Sequence, residues 1–234
     1  MALKEIVPGL FEISMGIVNA FLIDGDDGLT LIDTGVAGSY DKILAAIEAL
    51  GRRPSDVQHI LLTHCHGDHT GSLARLKERC NAPAYMHPLD AALVRVGQSM
   101  RPLTPGPSLI AKVMVRFFIN RSGHDTIEPA EIEHEVTDGE ELPVAGGLTA
   151  IHAPGHCAGQ LAFLWAQHGG VLFVADAAAN IIRLGWSIVY EDLNEGRRSL
   201  TKLSGLEFQT ACFGHGKTIV RGASARFKQK WPPL

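Results

Sequence analysis

Three histidines and an aspartate crowd into the six residues His64-Cys65-His66-Gly67-Asp68-His69, directly after the apolar run Ile60-Leu61-Leu62. Neutral imidazole and carboxylate together suit zinc, iron or manganese. His64 and His66 are alternate residues of an expected extended turn, so they can face one point while Cys65 faces away. Asp68 and His69 are adjacent, at the expected start of a helix, and their side chains diverge from the first pair. This spacing favours two ions side by side over one four-ligand cage. Each ion then needs ligands from elsewhere in the chain. His156 is the candidate for the first and His215 for the second, and Asp176 can bridge both with its two oxygens. The expected sets are His64, His66, His156 and Asp176 on one ion, and Asp68, His69, His215 and Asp176 on the other. Each ion keeps a position open for a shared hydroxide, as a catalytic site must.

The elements that must position these residues surround them. Phe11 to Ile13 and Val18 to Ile23 read as strands, and Asp24-Gly25-Asp26-Asp27-Gly28 carries the residues of a hairpin turn. Leu29 to Ile32 returns and ends at Asp33-Thr34-Gly35. Ser39 or Asp41 can cap a helix with Ile43, Leu44, Ile47 and Leu50 on one side, closed by Gly51. Ile60 to Leu62 reads as a buried strand, Thr70 to Arg79 as a helix with Leu73 and Leu76 inward, Ala84 to Met86 as a strand and Leu89 to Val96 as a helix. Strands resume around Val136 and at Leu148 to His152. Leu161 to Trp165 and Val171 to Val174 form an expected hairpin, with Phe163 and Trp165 in the core. A helix from Glu195 to Leu203, the strand Thr210 to Phe213 and a helix from Ala223 to Lys228 follow. Repeatedly, a short apolar strand ends and a His or Asp appears just past it.

Between Gly97 and Pro129 the pattern changes. Pro102, Pro105 and Pro107 break the chain, and Ser108 can cap a helix carrying Leu109, Ile110, Val113, Met114, Phe117 and Phe118. A helical insertion around residues 88–128 is expected. It serves either as a lid over the site or as a packing helix through which a homodimer forms.

Composition narrows the function classes. Lys+Arg 21 against Asp+Glu 25 leaves a net charge of −4, and the short basic stretches are scattered, so no nucleic-acid partner is expected. No apolar run reaches the roughly 18–20 residues of a membrane span. The N-terminal residues show no apolar signal core, and a cytoplasmic protein without membrane contact is expected. The four cysteines, Cys65, Cys80, Cys157 and Cys212, form no CxxC pair and read as free thiols. Cys65 and Cys157 adjoin ligands but read as small buried side chains. His59, His87, His124, His134, His152 and His168 lack motif spacing and read as structural or solvated.

Thr63-His64-Cys65-His66-Gly67-Asp68-His69 resembles the His-x-His-x-Asp-His signature of the metallo-β-lactamase superfamily. Asp33-Thr34-Gly35 resembles its early Asp-Thr-Gly, and Pro154-Gly155-His156-Cys157-Ala158-Gly159 its Pro-Gly-His-Thr-x-Gly. Asp176 resembles its bridging aspartate, and Phe213-Gly214-His215-Gly216 its terminal Pro-Gly-His-Gly. The motifs stand in the family's order over residues about 18 to 220. The resemblance implies an α/β (α+β) fold of four layers, αββα, as one domain over residues 1–234. It also implies two zinc ions at one edge, with iron or manganese in some branches. Asp33 is expected to brace ligands from outside the coordination sphere.

Branches of the superfamily differ from this chain at particular positions. The zinc enzymes that destroy β-lactams generally lack a carboxylate at the bridging position, where Asp176 stands. The diiron flavoproteins carry Glu where this chain has His66. Quorum-signal lactonases often carry Tyr three residues past the bridging Asp, the place of Ala179. Small glyoxalase-II-like hydrolases resemble the chain best. The implied reaction is attack of a bridging hydroxide on the carbonyl of a small-molecule thioester, ester or lactone. Asp68 would orient the nucleophile, and Asn180, Arg183, Trp186 and Tyr190 are the candidates for lining the substrate. The alternatives are an iron-dependent sulfur dioxygenase of the same fold, or weak β-lactamase or phosphoesterase activity.

Overall fold

The structure, a computed structural model, describes residues 2–117 and 126–233. Four antiparallel strands come first: β1 (Ala2–Val7), β2 (Leu10–Ser14), β3 (Asn19–Gly25) and β4 (Gly28–Ile32). Helix α1 (Tyr40–Ala49) crosses to β5 (Val57–Leu61), which runs parallel to β4. Helices α2 (Gly67–Thr70) and α3 (Leu73–Cys80) lead to β6 (Ala84–Met86). The insertion contributes α4 (Pro88–Arg95), the short strand β7 (Thr104–Pro105) and α5 (Leu109–Phe117). Strand β8 (His134–Glu135) closes a seven-stranded sheet of order β1-β2-β3-β4-β5-β6-β8.

The second half repeats the plan. Strands β9 (Glu141–Leu142), β10 (Leu148–His152), β11 (Leu161–Trp165) and β12 (Val171–Ala175) are antiparallel neighbours. The small strands β13 (Ala178–Ala179) and β14 (Gly185–Trp186) pair with each other, and β15 (Val189–Tyr190) pairs with β7 of the insertion. Helix α6 (Leu193–Ser204) starts at Asp192, whose carboxylate accepts from the N–H groups of Asn194 and Glu195. It leads to β16 (Thr210–Phe213), parallel to β12, in a five-stranded sheet of order β16-β12-β11-β10-β9. Helix α7 (Ala223–Lys230) follows.

Alternation along the strands builds the layers. In β3, Ala20 and Leu22 join an apolar cluster with Ile43 and Ile47 of α1, Leu73 and Leu76 of α3, and Ala91 and Val94 of α4. Phe21 and Ile23 point the other way, into a second cluster with Leu148, Phe163 and Phe173 of the opposite sheet. The rings of Phe21 and Phe173 meet edge to face at 5.5 Å. On the far side of that sheet, Leu172 and Val174 pack with Leu200 and Leu203 of α6 and Phe227 of α7. The result is an αββα sandwich. Its central strands are apolar on both faces, which explains their short, nearly unbroken hydrophobic runs.

Several elements depart from the expected boundaries. β1 precedes the expected strands, and Val136 lies just past β8, with its N–H on the Met86 carbonyl. The helix expected over Thr70 to Arg79 is two helices. The Gly71 N–H is diverted to the Gly35 carbonyl and the Ser72 hydroxyl to the Val36 carbonyl, which ends α2 and restarts the chain as α3. Ser108 does cap α5, accepting from the Ala111 N–H. In α5 the buried side chains include Ala111 and Val115, while Leu109 and Val113 are exposed. Phe118 lies outside the described residues, as does His124.

Candidate metal centre

The site forms where the carboxyl ends of strands from both sheets reach one edge, the usual place for a ligand in α/β sheets. Asp33 follows β4, and the segment from Thr63 to His69 follows β5 and enters α2. His156 lies in the loop after β10, Asp176 directly follows β12, and Gly214-His215 follows β16. Asp33 and Ala175 adopt the left-handed backbone region with φ of 61° and 53°. Such strain in non-glycine residues concentrates at functional sites.

All seven expected donors converge. His66 Nδ1 lies 2.9 Å from His156 Nε2, and the His64 ring stacks edge-on to both at 4.8 and 4.9 Å between centroids. Donor atoms of His64, His66 and His156 lie within 4.8 Å of one another, as do those of Asp68, His69 and His215. Asp176 stands between the two sets: Oδ2 is 3.6 Å from His156 Nε2 and 3.1 Å from His215 Nε2, and Oδ1 is 3.6 Å from His69 Nε2. Asp68 Oδ2 is 3.1 Å from His215 Nε2. A Cβ at Gly214 would fall 2.2 Å from Asp176 Oδ1, so only glycine admits this approach.

Each imidazole is anchored by its other nitrogen, which fixes ring orientation and tautomer. His69 Nδ1 meets Asp33 Oδ2 at 2.8 Å. His64 Nδ1 meets Thr63 Oγ1 at 2.9 Å, and that hydroxyl donates to Asp33. His66 Nε2 meets Cys157 Sγ at 3.2 Å. His156 Nδ1 donates to the Val189 carbonyl at 2.8 Å, and His215 Nδ1 to the Ile17 carbonyl. Asp33 thus contacts His69 directly and His64 through the Thr63 hydroxyl. Thr63 and Cys157 lie inside the motif stretches, whereas Ile17 and Val189 carry no motif signal and act through their backbone carbonyls.

The two sets differ in charge. Burial, with neighbouring imidazoles, pushes His64 well below its usual value and lowers His66 to about 3, and burial also lowers His156. His69 and His215 go the other way. Burial opposes their protonation, but Asp68, Asp33 and Asp176 raise His69 to about 9, and Asp176 and Asp68 raise His215 to about 11. Despite burial, the facing histidines hold Asp68 and Asp176 well below the usual carboxylate range.

These residues fit divalent metal ions. Buried polar groups are normally satisfied, yet His64 Nε2, His69 Nε2 and Asp176 Oδ1 are buried with no hydrogen-bond partner among the described residues, and all three face the junction of the two sets. Neutral imidazole beside carboxylate is the donor chemistry of zinc and its neighbours.

The four substrate candidates differ in their surroundings. Asn180 braces the His215 segment: its N–H donates to the His215 carbonyl and its side chain to the Lys217 carbonyl. Arg183 lies in a surface groove with Leu184, Arg226, Gln229 and Lys230. Trp186 packs against Tyr190 and Trp231. Tyr190 is wholly buried, donating to the Ala177 carbonyl and accepting from the Ser187 N–H. Burial and full hydrogen bonding make Tyr190 a brace beneath the His156 ring, 6.1 Å away, in place of the substrate contact expected of it. Cys65 and Cys157 are buried free thiols, and Phe163 and Trp165 are core residues. Among the described residues, no helix is long and apolar enough to cross a membrane.

Comparison with known proteins agrees with the geometry. The family model of the metallo-beta-lactamase superfamily matches residues 14–215. The chain is 31% identical to the uncharacterized protein YobT of Bacillus subtilis, over 95% of this chain and 90% of that protein. It is 27% identical to an atrochrysone carboxyl ACP thioesterase of Pseudocercospora fijiensis, over 86% of this chain but 48% of that one, so it spans about half the length of that relative. It likewise spans only about half of the lactamase-like protein aptB of Emericella nidulans, covering 52% of it. In structure it resembles BJP-1, a subclass B3 metallo-beta-lactamase of Bradyrhizobium japonicum, with a TM-score of 0.73 at 19% identity over 97% of this chain and 89% of that chain. With the family's model spanning most of the chain and its histidines and aspartates gathered at one sheet edge, this protein belongs to the metallo-β-lactamase superfamily.

Proposed function

We propose that the protein is a dinuclear zinc hydrolase of small-molecule thioesters, esters or lactones, of the glyoxalase-II-like kind. The observation that carries this reading is the convergence of buried, unpartnered His64 Nε2, His69 Nε2 and Asp176 Oδ1 between two sets of imidazoles bridged by one carboxylate. His64, His66, His156 and Asp176 would hold one ion, and Asp68, His69, His215 and Asp176 the other. Two such ions supply a water acidic enough to ionise near neutral pH, and a Lewis acid for a carbonyl oxygen.

The chain's own residues supply orientation and a path for the proton. Asp68 is a carboxylate throughout the neutral range and its side chain is partly open to solvent, so it can accept a hydrogen bond from the attacking water and hold it in line. Thiolates and activated alkoxides leave more readily than amines, which favours thioesters, esters and lactones over amides. Exposed apolar side chains next to the anchors of His215 favour a substrate with an apolar body. Ile17, whose carbonyl anchors His215, is 75% exposed, and Ile181 and Ile182, which follow Asn180, are 54% and 90% exposed. The thioesterase among the relatives supports the thioester option.

The test is a hydrolysis panel of thioesters, esters, lactones, phosphoesters and β-lactams on protein of measured metal content, with His64→Ala alongside. Metal-dependent turnover confined to the first three classes is expected. Fully loaded protein that cleaves none of those three, or turnover untouched by His64→Ala, overturns the reading.

A further inference from the structure

The insertion brings a buried ionic cluster to the back of the metal centre. Asp90 of α4 is fully buried. Its Oδ2 accepts from the backbone N–H of Cys65, the residue between His64 and His66, at 3.1 Å. Its Oδ1 accepts from the N–H of Gly159, three residues past His156, at 3.1 Å, and from Arg101 Nη1 at 2.7 Å. Arg101 lies between α4 and β7, donates to the Leu89 carbonyl and reaches Glu191 Oε1 at 3.2 Å. Glu191 Oε2 in turn accepts from the Ala158 N–H at 2.8 Å, and the Glu191 N–H donates to the His156 carbonyl. The fit is closed, since a Cβ at Gly159 would stand 2.6 Å from Asp90 Cγ.

We propose that Asp90, Arg101 and Glu191 are positioning residues that staple the His64–His66 segment to the His156 loop and thereby set the geometry of the first metal set alone. The inference rests on the two-metal reading above. Apart from that of Glu191 itself, the backbone N–H groups in the cluster belong to Cys65, Ala158 and Gly159, within three residues of His64, His66 or His156. The anchors of the second set are different: Asp33 for His69 and the Ile17 carbonyl for His215. The donor atoms of Cys65, Asp90 and Cys157 also lie within 4.8 Å of one another, but this is not a third ion site. Both Asp90 oxygens already face N–H donors, and a cation would have to displace them. A buried carboxylate needs such donors and a cationic partner to remain charged, and Arg101 is that partner. Residues that act through ligands in this way typically change metal affinity by roughly 10–100-fold when replaced.

The experiment is titration of the full-length apoprotein with Zn²⁺, and with Co²⁺ followed by absorption, for the wild type, Asp90→Asn, Arg101→Met and Arg101→Lys. The Co²⁺ band of the first set is the one lost in His156→Ala. In Asp90→Asn and Arg101→Met the affinity of that set is expected to fall about 10–100-fold. The second set should hold its affinity, and Arg101→Lys should recover most of the loss. Equal weakening of both sets together with a lowered Tm, or no change in either, overturns the proposal. If Asp90→Asn does not fold, the Arg101→Met and Arg101→Lys pair gives the same reading. A wild type that binds no metal removes the underlying two-metal reading instead. A wild type that binds two ions, with variants that bind like it, removes only the staple.

Discussion

The Asp33 carboxylate holds His69 Nδ1 at 2.8 Å and accepts the Thr63 hydroxyl whose oxygen meets His64 Nδ1. One carboxylate therefore orients one imidazole of each of the two histidine sets. Asp33→Ala should lower metal affinity in both sets by roughly 10–100-fold. The effect should be larger for the second set, where contact is direct. Competition titration against a chromophoric chelator measures both, and unchanged affinity in both sets removes the bracing role.

Asp176 faces histidines of both sets. Asp176→Ala should therefore release at least one metal equivalent and cut hydrolysis beyond the roughly 10–100-fold of an outer replacement. Metal analysis by mass spectrometry with steady-state rates checks this. Retention of two tightly held ions would show that Asp176 bridges nothing.

The charge asymmetry of the two sets predicts a pH dependence of loading. His69, at about 9, and His215, at about 11, are protonated in the apoprotein at neutral pH, whereas His66, at about 3, is neutral. Filling the second set must release protons, so its affinity should rise with pH through about 9 and on toward about 11, while the first set changes little above neutrality. Calorimetric titration in buffers of different ionisation enthalpy counts the protons, and a zero count is the adverse result.

The same shifts set the apoprotein's alkaline stability. The folded values of His69 and His215 lie above that of an unfolded histidine, about 6.5. Their contribution is fully present below about 6.5 and is lost as pH rises through 9 and toward 11. Apoprotein Tm should fall from pH 7 to pH 10, and metal-loaded protein should fall less. Thermal scans with and without chelator compare them, and parallel curves would count against the assignment.

Phe21 and Phe173 join the two sheets edge to face. Phe173→Ala opens a cavity in the central layer and should cost about 3–5 kcal/mol of stability by denaturant unfolding. A loss under about 1 kcal/mol would mean that the sheets repack around the gap.

Much of this was legible in the residues. Four of the seven donors stand within six residues, and the other three, His156, Asp176 and His215, each follow an apolar run that reads as a buried strand. What escaped the sequence depends on long-range packing. Nothing local reveals that Gly71 hydrogen bonds to Gly35 and splits a helix. Tyr190 carries the polar tip of a substrate contact, yet its hydroxyl is consumed by Ala177 and Ser187. Asp90 and Glu191 resemble ordinary surface carboxylates because their partners include backbone N–H groups 25, 69 and 33 residues away.

The two sheets are nearly separate stretches of chain, with β1 to β6 and β8 preceding β9 to β12 and β16. His64, His66, Asp68 and His69 belong to the first stretch, and His156, Asp176 and His215 to the second. Neither stretch alone carries a complete set. An ion bound here would cross-link the two halves of the polypeptide. A chain whose halves are misjoined would lack both complete sets, so retained metal would report their correct joining.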